Sequence, residues 1–500
     1  MLALALLLLA ADRPFEPADG VGRVPVGVEG PLVTAQPPLS LMTVEPFGGG
    51  VDEAGLREVL GRLPDGRRTG VRLPAGVVVE LTRPLALPKG VFLLGDGTQT
   101  LRAAGSMTAM VELSELDCGL DGLRIESRGL TRRAAVVVAG LSTLKPASRV
   151  AVRNCVFVDE VTPERGGRTS VPRTDPSGRM VEVGPFANAV RVDGCRFADC
   201  RTGVSLRSLN VSGVEVVACR FERWRDFGVQ VLRKAGPRTE PPPQSITVRN
   251  CHFGPPKPCD GIRKPIDFQS AAAAFAEGLP DVTEVRILFN TLAGEPGTFH
   301  SRTAADAATA DMITLHRVSD ADVVGNRLEN GGEVGINVAR GSRDVRVIGN
   351  EVSATDGAGV NVGVPPKPHE TPPAAYLTRD ITVEGNTLRD VAINLGAASG
   401  EAGFPPWARS GVIVNFAHEV TVTGNRFVAT ERSQALYPAS MRDERQKAAT
   451  LREMGRIAGN VPRTLMQAVR IRNVPGEASV RLDANTFALP PWGREVVREP

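Results

Sequence analysis

Acidic residues recur at one place in this chain, each just before a short apolar strand pattern: Asp226, Asp260, Asp311, Glu333 and Asp356. Basic groups stand close by, Arg263 and Lys264 in one such pattern and His316 in the next. Two carboxylates a few ångströms apart can serve as the acid/base pair of a glycoside hydrolase. Carboxylates in a column can also hold Ca²⁺, a hard cation that takes oxygen ligands, with Asp260 and Asp356 as candidates. Histidine titrates near neutrality and is a common acid or base, and cations stabilise a developing carbanion. Asp311, His316, Glu333 and Arg263 are therefore the candidate catalytic set. Asp beside Gly is also ordinary turn chemistry, and outward charges keep a sheet soluble.

For such residues to meet, something must stack them. The stretch from Ser319 to Gly363 shows what does. Val323, Asn326, Leu328, Gly335 and Asn337 recur as Val347, Asn350, Val352, Gly359 and Asn361, a period of 24 residues. A period this short, with alternating strand patterns and no helix between them, marks a coiled β-solenoid. One coil cannot bury its own apolar side chains; stacked coils bury them in a shared column, at about 4.8 Å per coil.

The anchor of each coil is an alternating apolar run, a small residue, Asn or Cys, any residue, then an apolar one. Cysteine fills the slot early, at Cys155, Cys195, Cys219 and Cys251; asparagine fills it later, at Asn290, Asn326, Asn350, Asn386, Asn425 and Asn485. Leu123 fills it first. An amide there can bond the local backbone and the amides above and below, forming a ladder. The four thiols form an apolar stack in its place. With seven cysteines and no Cys-x-x-Cys pair, neither a disulfide framework nor a zinc site is indicated.

About ten residues after each anchor comes a second strand, at 180–184, 203–207, 228–232, 261–265, 312–316, 335–339, 359–363, 411–415 and 468–472. The period of two places Glu182, Ser205, Gln230, Arg263, Thr314, Asn337, Asn361, Ile413 and Arg470 on the outside. Arg207, His316, Asn415 and Arg472 form a second outward row. Asn337 above Asn361 suits sugar hydroxyls, and could equally be an exterior ladder with no ligand. Arg207 and Gln230 are further binding candidates. Trp224, Trp407 and Tyr376 could stack on sugar rings or fill the bases of their loops, although aromatics make up only 4% of the chain, which is poor in the flat platforms that sugars favour. Insertions before and after this second strand flank it as walls flank a groove. One of them carries a helical pattern over about 433–458.

The ends bound the rest. MLALALLLLAADRP has the apolar length of an export signal, lacks a basic n-region and is too short to span a bilayer. Residues 1–11 are read as that signal, 12–41 as a Pro- and Gly-rich strap, 42–70 as an N-terminal cap and 71–492 as the solenoid. In the cap, Leu56, Val59, Leu60 and Leu63 share one helical face behind Asp52, a good N-cap. Basic and acidic residues number 59 and 56, so no basic field favours nucleic acid.

The capped N-terminus and the Asn-turn repeats together resemble the right-handed parallel β-helix superfamily typified by pectate lyases. The resemblance covers roughly residues 42–490 and is one of fold. It implies an all-β, right-handed parallel β-helix, with an Asn ladder between the second and third sheets and a substrate groove on the outer face of the first. It supplies no catalytic residue, because the chemical signatures of the family's pectate lyases, alginate lyases and polygalacturonases are absent here. The expectation is an exported or surface protein acting on a polysaccharide, as lyase or hydrolase. A non-catalytic adhesion or glycan-binding solenoid is the alternative from another class, and a uronate epimerase a third.

Overall fold

The computed structural model describes residues 40–43, 51–63, 67–159, 178–233, 241–256, 263–270, 281–294, 311–331, 334–355, 357–364, 376–391, 410–430, 467–472, 474, 480–488 and 494–499. The segments 1–11 and 12–39, the 433–458 pattern, Trp407, and the site candidates Asp260, Glu333 and Asp356 lie outside the described residues.

The chain winds as a parallel β-helix. Among the described residues its strands fall into three parallel sheets of 14, 13 and 13 strands, and each sheet takes one strand from each successive coil. The coil Val318–Ala339 shows the order. The strand Val318–Val324 belongs to the anchor sheet, Arg327–Glu329 to a sheet of short strands, and Ile336–Ala339 to what we call the face sheet. The next coil repeats this, Val323 pairing with Val347, Leu328 with Val352, and Asn337 with Asn361.

Alternation fixes which side is core. Val345 and Val347 point in and are fully buried; so do Val204 and Leu206 in the strand Thr202–Leu206. Across the short strands one inward position stacks in register through the whole column. Phe157, Phe197, Phe221 and Phe253 fill it early, with ring centroids 5.0, 4.9 and 4.4 Å apart. Leu292, Leu328, Val352 and Leu388 continue it, and Phe427 and Phe487 extend it.

The anchor slots are the turns between the anchor sheet and the short strands, and they form an inner pillar. Asn350 Oδ1 accepts from Asn326 N at 2.9 Å and from Asn326 Nδ2 at 3.0 Å, while Asn326 Nδ2 also donates to Ile287 O at 2.9 Å. The same bonds recur from Asn290 to Asn485. Cysteine imitates half of this. Cys195 Sγ donates to Val152 O, and Cys251 Sγ to Val216 O, as the amide does one coil back. The two regimes join where Cys251 N donates to Asn290 Oδ1 at 2.9 Å. The residue before each slot is left-handed, which explains Gly325, Gly349, Gly385 and Gly424 there. Phe289 takes the same conformation at φ 55, half exposed, its ring lying where a Cβ on Gly325 would be.

The capping helix is Glu53–Gly61. Asp52 Oδ1 accepts from Gly55 N at 2.8 Å, and Leu56 and Leu60 enter the core at the first coil. The anchor sheet starts earlier than the repeat pattern suggests, with Ser40–Thr43 pairing to Thr69–Arg72.

Candidate functional site

Five face-sheet strands build the central part of this surface: Thr202–Leu206, Phe227–Arg233, Lys264–Ser270, Ile313–His316 and Ile336–Ala339. The third differs from the sequence reading. The match to 261–265 made Arg263 the outward residue, whereas the register pairs Gln230 with Asp267 and Asp267 with Thr314. The true apolar pair is Ile266 and Phe268, both fully buried. The Gly-Ile start of 261–265 imitates the Gly-Val and Gly-Ile starts of its neighbours, and Pro265 interrupts the pattern just where the real strand begins. Arg263 lies immediately before that strand and is buried. The alternation Ile266-Asp267-Phe268 was the signal that could have found Asp267.

The side chains that result form one buried polar cluster. Lys264 Nζ lies 3.3 Å from Asp311 Oδ2 and 3.4 Å from Asp267 Oδ1, and donates to Thr314 Oγ1 at 2.9 Å. Asp311 Oδ2 accepts as well from Thr314 Oγ1 at 3.1 Å and from Asn337 Nδ2 at 2.8 Å. Asn361 Nδ2 donates to Asn337 Oδ1 at 2.9 Å, which extends the chain by one coil. Gln269 Nε2 donates to Asp267 Oδ1 at 2.7 Å, and Gln230 bonds the same carboxyl. Burial pushes the Asp267 carboxyl above the usual range, with Lys264 and the two amides opposing.

His316 stands in the next outward row, in register with Gln269 and Ala339. It is 9% exposed, and its Nε2 is buried with no hydrogen-bond partner. Burial, then the charges of Lys264 and Arg340, hold the imidazole well below its ordinary pKa, so it is neutral. Asn361 Oδ1 likewise has no partner.

Of the candidates, the structure thus brings Asp311, Asn337 and Asn361 into direct contact through one network, with His316 beside it. Gln230 joins through Asp267. Arg207 lies toward the N-terminal end of the same sheet, after the strand Thr202–Leu206. Trp224 is not on this face: it is 0% exposed, packed in the core, and its indole N–H donates to Gly254 O at 2.9 Å. Asp226, one of the recurring acids, is ion-paired to Arg201. Among the described residues no group of three or more His, Cys, Asp or Glu is placed to hold a metal ion.

No protein-family model matches the chain, and no curated protein matches it by sequence. Solved structures do. The surface protein and adhesin PfbA of Streptococcus pneumoniae aligns at 11% identity over 92% of this chain and 100% of its own, with a TM-score of 0.53. The A-module of the mannuronan C-5 epimerase AlgE6 of Azotobacter vinelandii aligns at 12% identity over 92% and 99%, TM-score 0.44. The catalytic unit of a GH87 α-1,3-glucanase from Streptomyces thermodiastaticus aligns at 10% identity over 91% and 70%, TM-score 0.45. The likeness to PfbA is one of fold, the parallel β-helix; the two enzymes align too loosely to bear an argument. No described helix is long and apolar enough to cross a membrane.

Proposed function

We propose that the protein acts on a uronate-bearing polysaccharide at the outer side of the face sheet, by lyase-type proton abstraction. The observation that supports this most is His316, a buried neutral imidazole whose Nε2 has no partner, next to a fixed ammonium. In the tautomer with Nε2 unprotonated it is a base already in its working form. Abstraction of the proton α to a carboxylate places negative charge on the carboxylate oxygens. Lys264, held by Asp267 and Asp311, is the group able to receive that charge. The electron pair then forms the C4–C5 double bond as the glycosidic C4–O bond breaks. Asp267, a buried acid whose proton affinity burial raises, is the candidate donor to the departing oxygen. These groups are nine-tenths or more buried, so substrate reaches them only when this face opens.

One observation favours a second reading, a glycan-binding or adhesive solenoid without turnover. Asp311 Oδ2 already accepts from Lys264, Thr314 and Asn337, a saturated arrangement suited to rigidity. Incubation with polyuronates and neutral glucans, with Ca²⁺ or chelator, separates the readings. Chain shortening with ultraviolet absorbance of a conjugated double bond is the expected result, lowered at least about 100-fold in His316→Gln. New reducing ends without absorbance indicate hydrolysis by the Asp267 and Asp311 carboxyls, and inversion at C5 without cleavage indicates epimerisation. Binding with no product establishes the second reading.

A further inference from the structure

Toward its N-terminal end the same sheet carries charges that do not balance. Glu182 is fully engaged: Arg133 Nε donates to its Oε1 at 2.6 Å, and Arg179 Nη1 lies 3.4 Å from its Oε2. Arg201 is paired with Asp226. Register places Glu182 beside Ser205, and Ser205 beside Gln230. Ser205 lies between two core residues, Val204 and Leu206, so its side chain points outward; it is fully buried, and its Oγ has no partner. Two residues on, toward the same side, comes Arg207. Among the described residues it makes no hydrogen bond or ion pair, and its Nε is buried without an acceptor. Four guanidinium groups, those of Arg133, Arg179, Arg201 and Arg207, thus share a surface whose two carboxylates are already committed. Repulsion among the last three adds to burial in lowering the proton affinity of Arg179, to about 10, and in lowering that of Arg207, which Glu182 partly offsets.

Leaving a buried donor and a buried hydroxyl without partners costs stability. A fixed oxyanion would satisfy both. We propose that Ser205, Arg207 and Arg179 form an oxyanion subsite that takes a carboxylate or a sulfate ester carried by an acidic glycan. The source of the anion rests on the glycan reading above; the subsite does not require turnover. Ser205 and Thr314 share one outward column, separated by Gln230 and Asp267. The strand of Ser205 is two strand steps of about 4.8 Å from the strand that carries Lys264 and Asp267, which sets the subsite about 10 Å from that ion pair. A glycan with several acidic groups along its length can engage both.

The test uses the full chain and reads binding first. Inorganic sulfate is titrated against chloride at constant ionic strength by calorimetry, for wild type, Arg207→Gln, Arg207→Lys and Ser205→Ala. Saturable sulfate binding is expected in wild type, at least tenfold weaker in Arg207→Gln, and partly kept in Arg207→Lys. Because Arg207→Gln removes an uncompensated charge, its Tm without sulfate should equal or exceed that of wild type. A polyuronate, a sulfated galactan and a neutral glucan then identify the source: Arg207→Gln should lose affinity for one or both acidic polymers and none for the glucan. Equal binding of sulfate and acidic polymers by wild type and Arg207→Gln overturns the proposal, as does sulfate binding no tighter than chloride. Product formation is scored separately. A protein that binds through Arg207 but yields no product keeps this subsite and loses the lyase reading, and the reverse result does the opposite.

Discussion

The outer sides of the anchor sheet and the face sheet are built on the same strand spacing and meet opposite fates. Outside the anchor sheet, charges of opposite sign pair within and between coils, most of them in contact with solvent: Arg191 to Asp193 and Glu215, Arg286 to Asp320, and the exposed Arg346 to the buried Asp322. At the centre of the face sheet the corresponding side chains are buried, and two acidic groups, amides and hydroxyls are arranged around one ammonium. On the first surface water satisfies whatever the protein does not. On the second the side chains are screened from bulk solvent, so each polar atom without a protein partner carries information. His316 Nε2, Asn361 Oδ1 and Ser205 Oγ are such atoms, and all three lie on the face sheet.

The contrast predicts its largest effect at Asp311. Asp311→Ala strips Lys264 of one of two acidic partners and Asn337 of its acceptor, in a place buried from bulk solvent. Loss of one partner of a buried pair costs about 3–5 kcal/mol, read as a fall in the denaturant midpoint. Asp193→Ala, on the solvated surface, should cost about 1 kcal/mol or less. Equal losses at the two sites would mean that the face sheet is as wet as the anchor sheet, and the proposed chemistry would lose its setting.

The inner pillar gives a scale between these extremes. Asn350→Ala leaves Asn326 N and Nδ2 without their shared acceptor, at a cost of about 2–3 kcal/mol. Cys219→Ala, where a thiol makes only weak bonds, should cost nearer 1 kcal/mol. That pillar was also the most legible feature of the sequence. A slot that must point inward at every coil constrains residue type ten times over, so spacing alone reveals it. The face sheet was less legible because only two apolar positions define each strand. At 261–265 a false pair displaced the true one, Ile266 and Phe268, and hid Asp267 behind Arg263. Trp224 misled for a related reason. It sits in a turn, where the period of two no longer says which way a side chain points.

Acid should distinguish the two surfaces next. The folded-state pKa of His316 lies below its unfolded value near 6.5, so the unfolded chain binds the proton first. Stability contributed at neutral pH is therefore lost as pH falls below about 6.5, with a slope of up to about 1.4 kcal/mol per pH unit until the folded pKa is reached. Asp267 works in the opposite direction. Its folded pKa is raised, so its contribution is present at low pH and is lost as pH rises from the ordinary carboxyl value through the folded one. Urea titrations between pH 7 and pH 5 should show wild type losing stability relative to His316→Gln. Parallel curves would place the imidazole in water and remove the base from the proposed reaction.

The smallest effect belongs to the anchor sheet itself. Arg191 donates to Asp193 at 2.9 Å and to Glu215 at 3.1 Å, and all three side chains keep roughly a third of their exposure. Its removal forfeits two screened ion pairs but frees a long side chain from a fixed geometry, so Arg191→Ala should change stability by about 0.5 kcal/mol. What remains of that difference should shrink as salt rises from 0.1 to about 1 M, where the Debye length falls to about 3 Å. The Lys264 cluster should ignore the same salt, because its charges are shielded by protein and not by ions. Measuring Arg191→Ala and Asp311→Ala across that salt range therefore isolates burial as the cause of the contrast: a salt-sensitive face sheet would assign both surfaces to solvent, whatever the size of the individual losses.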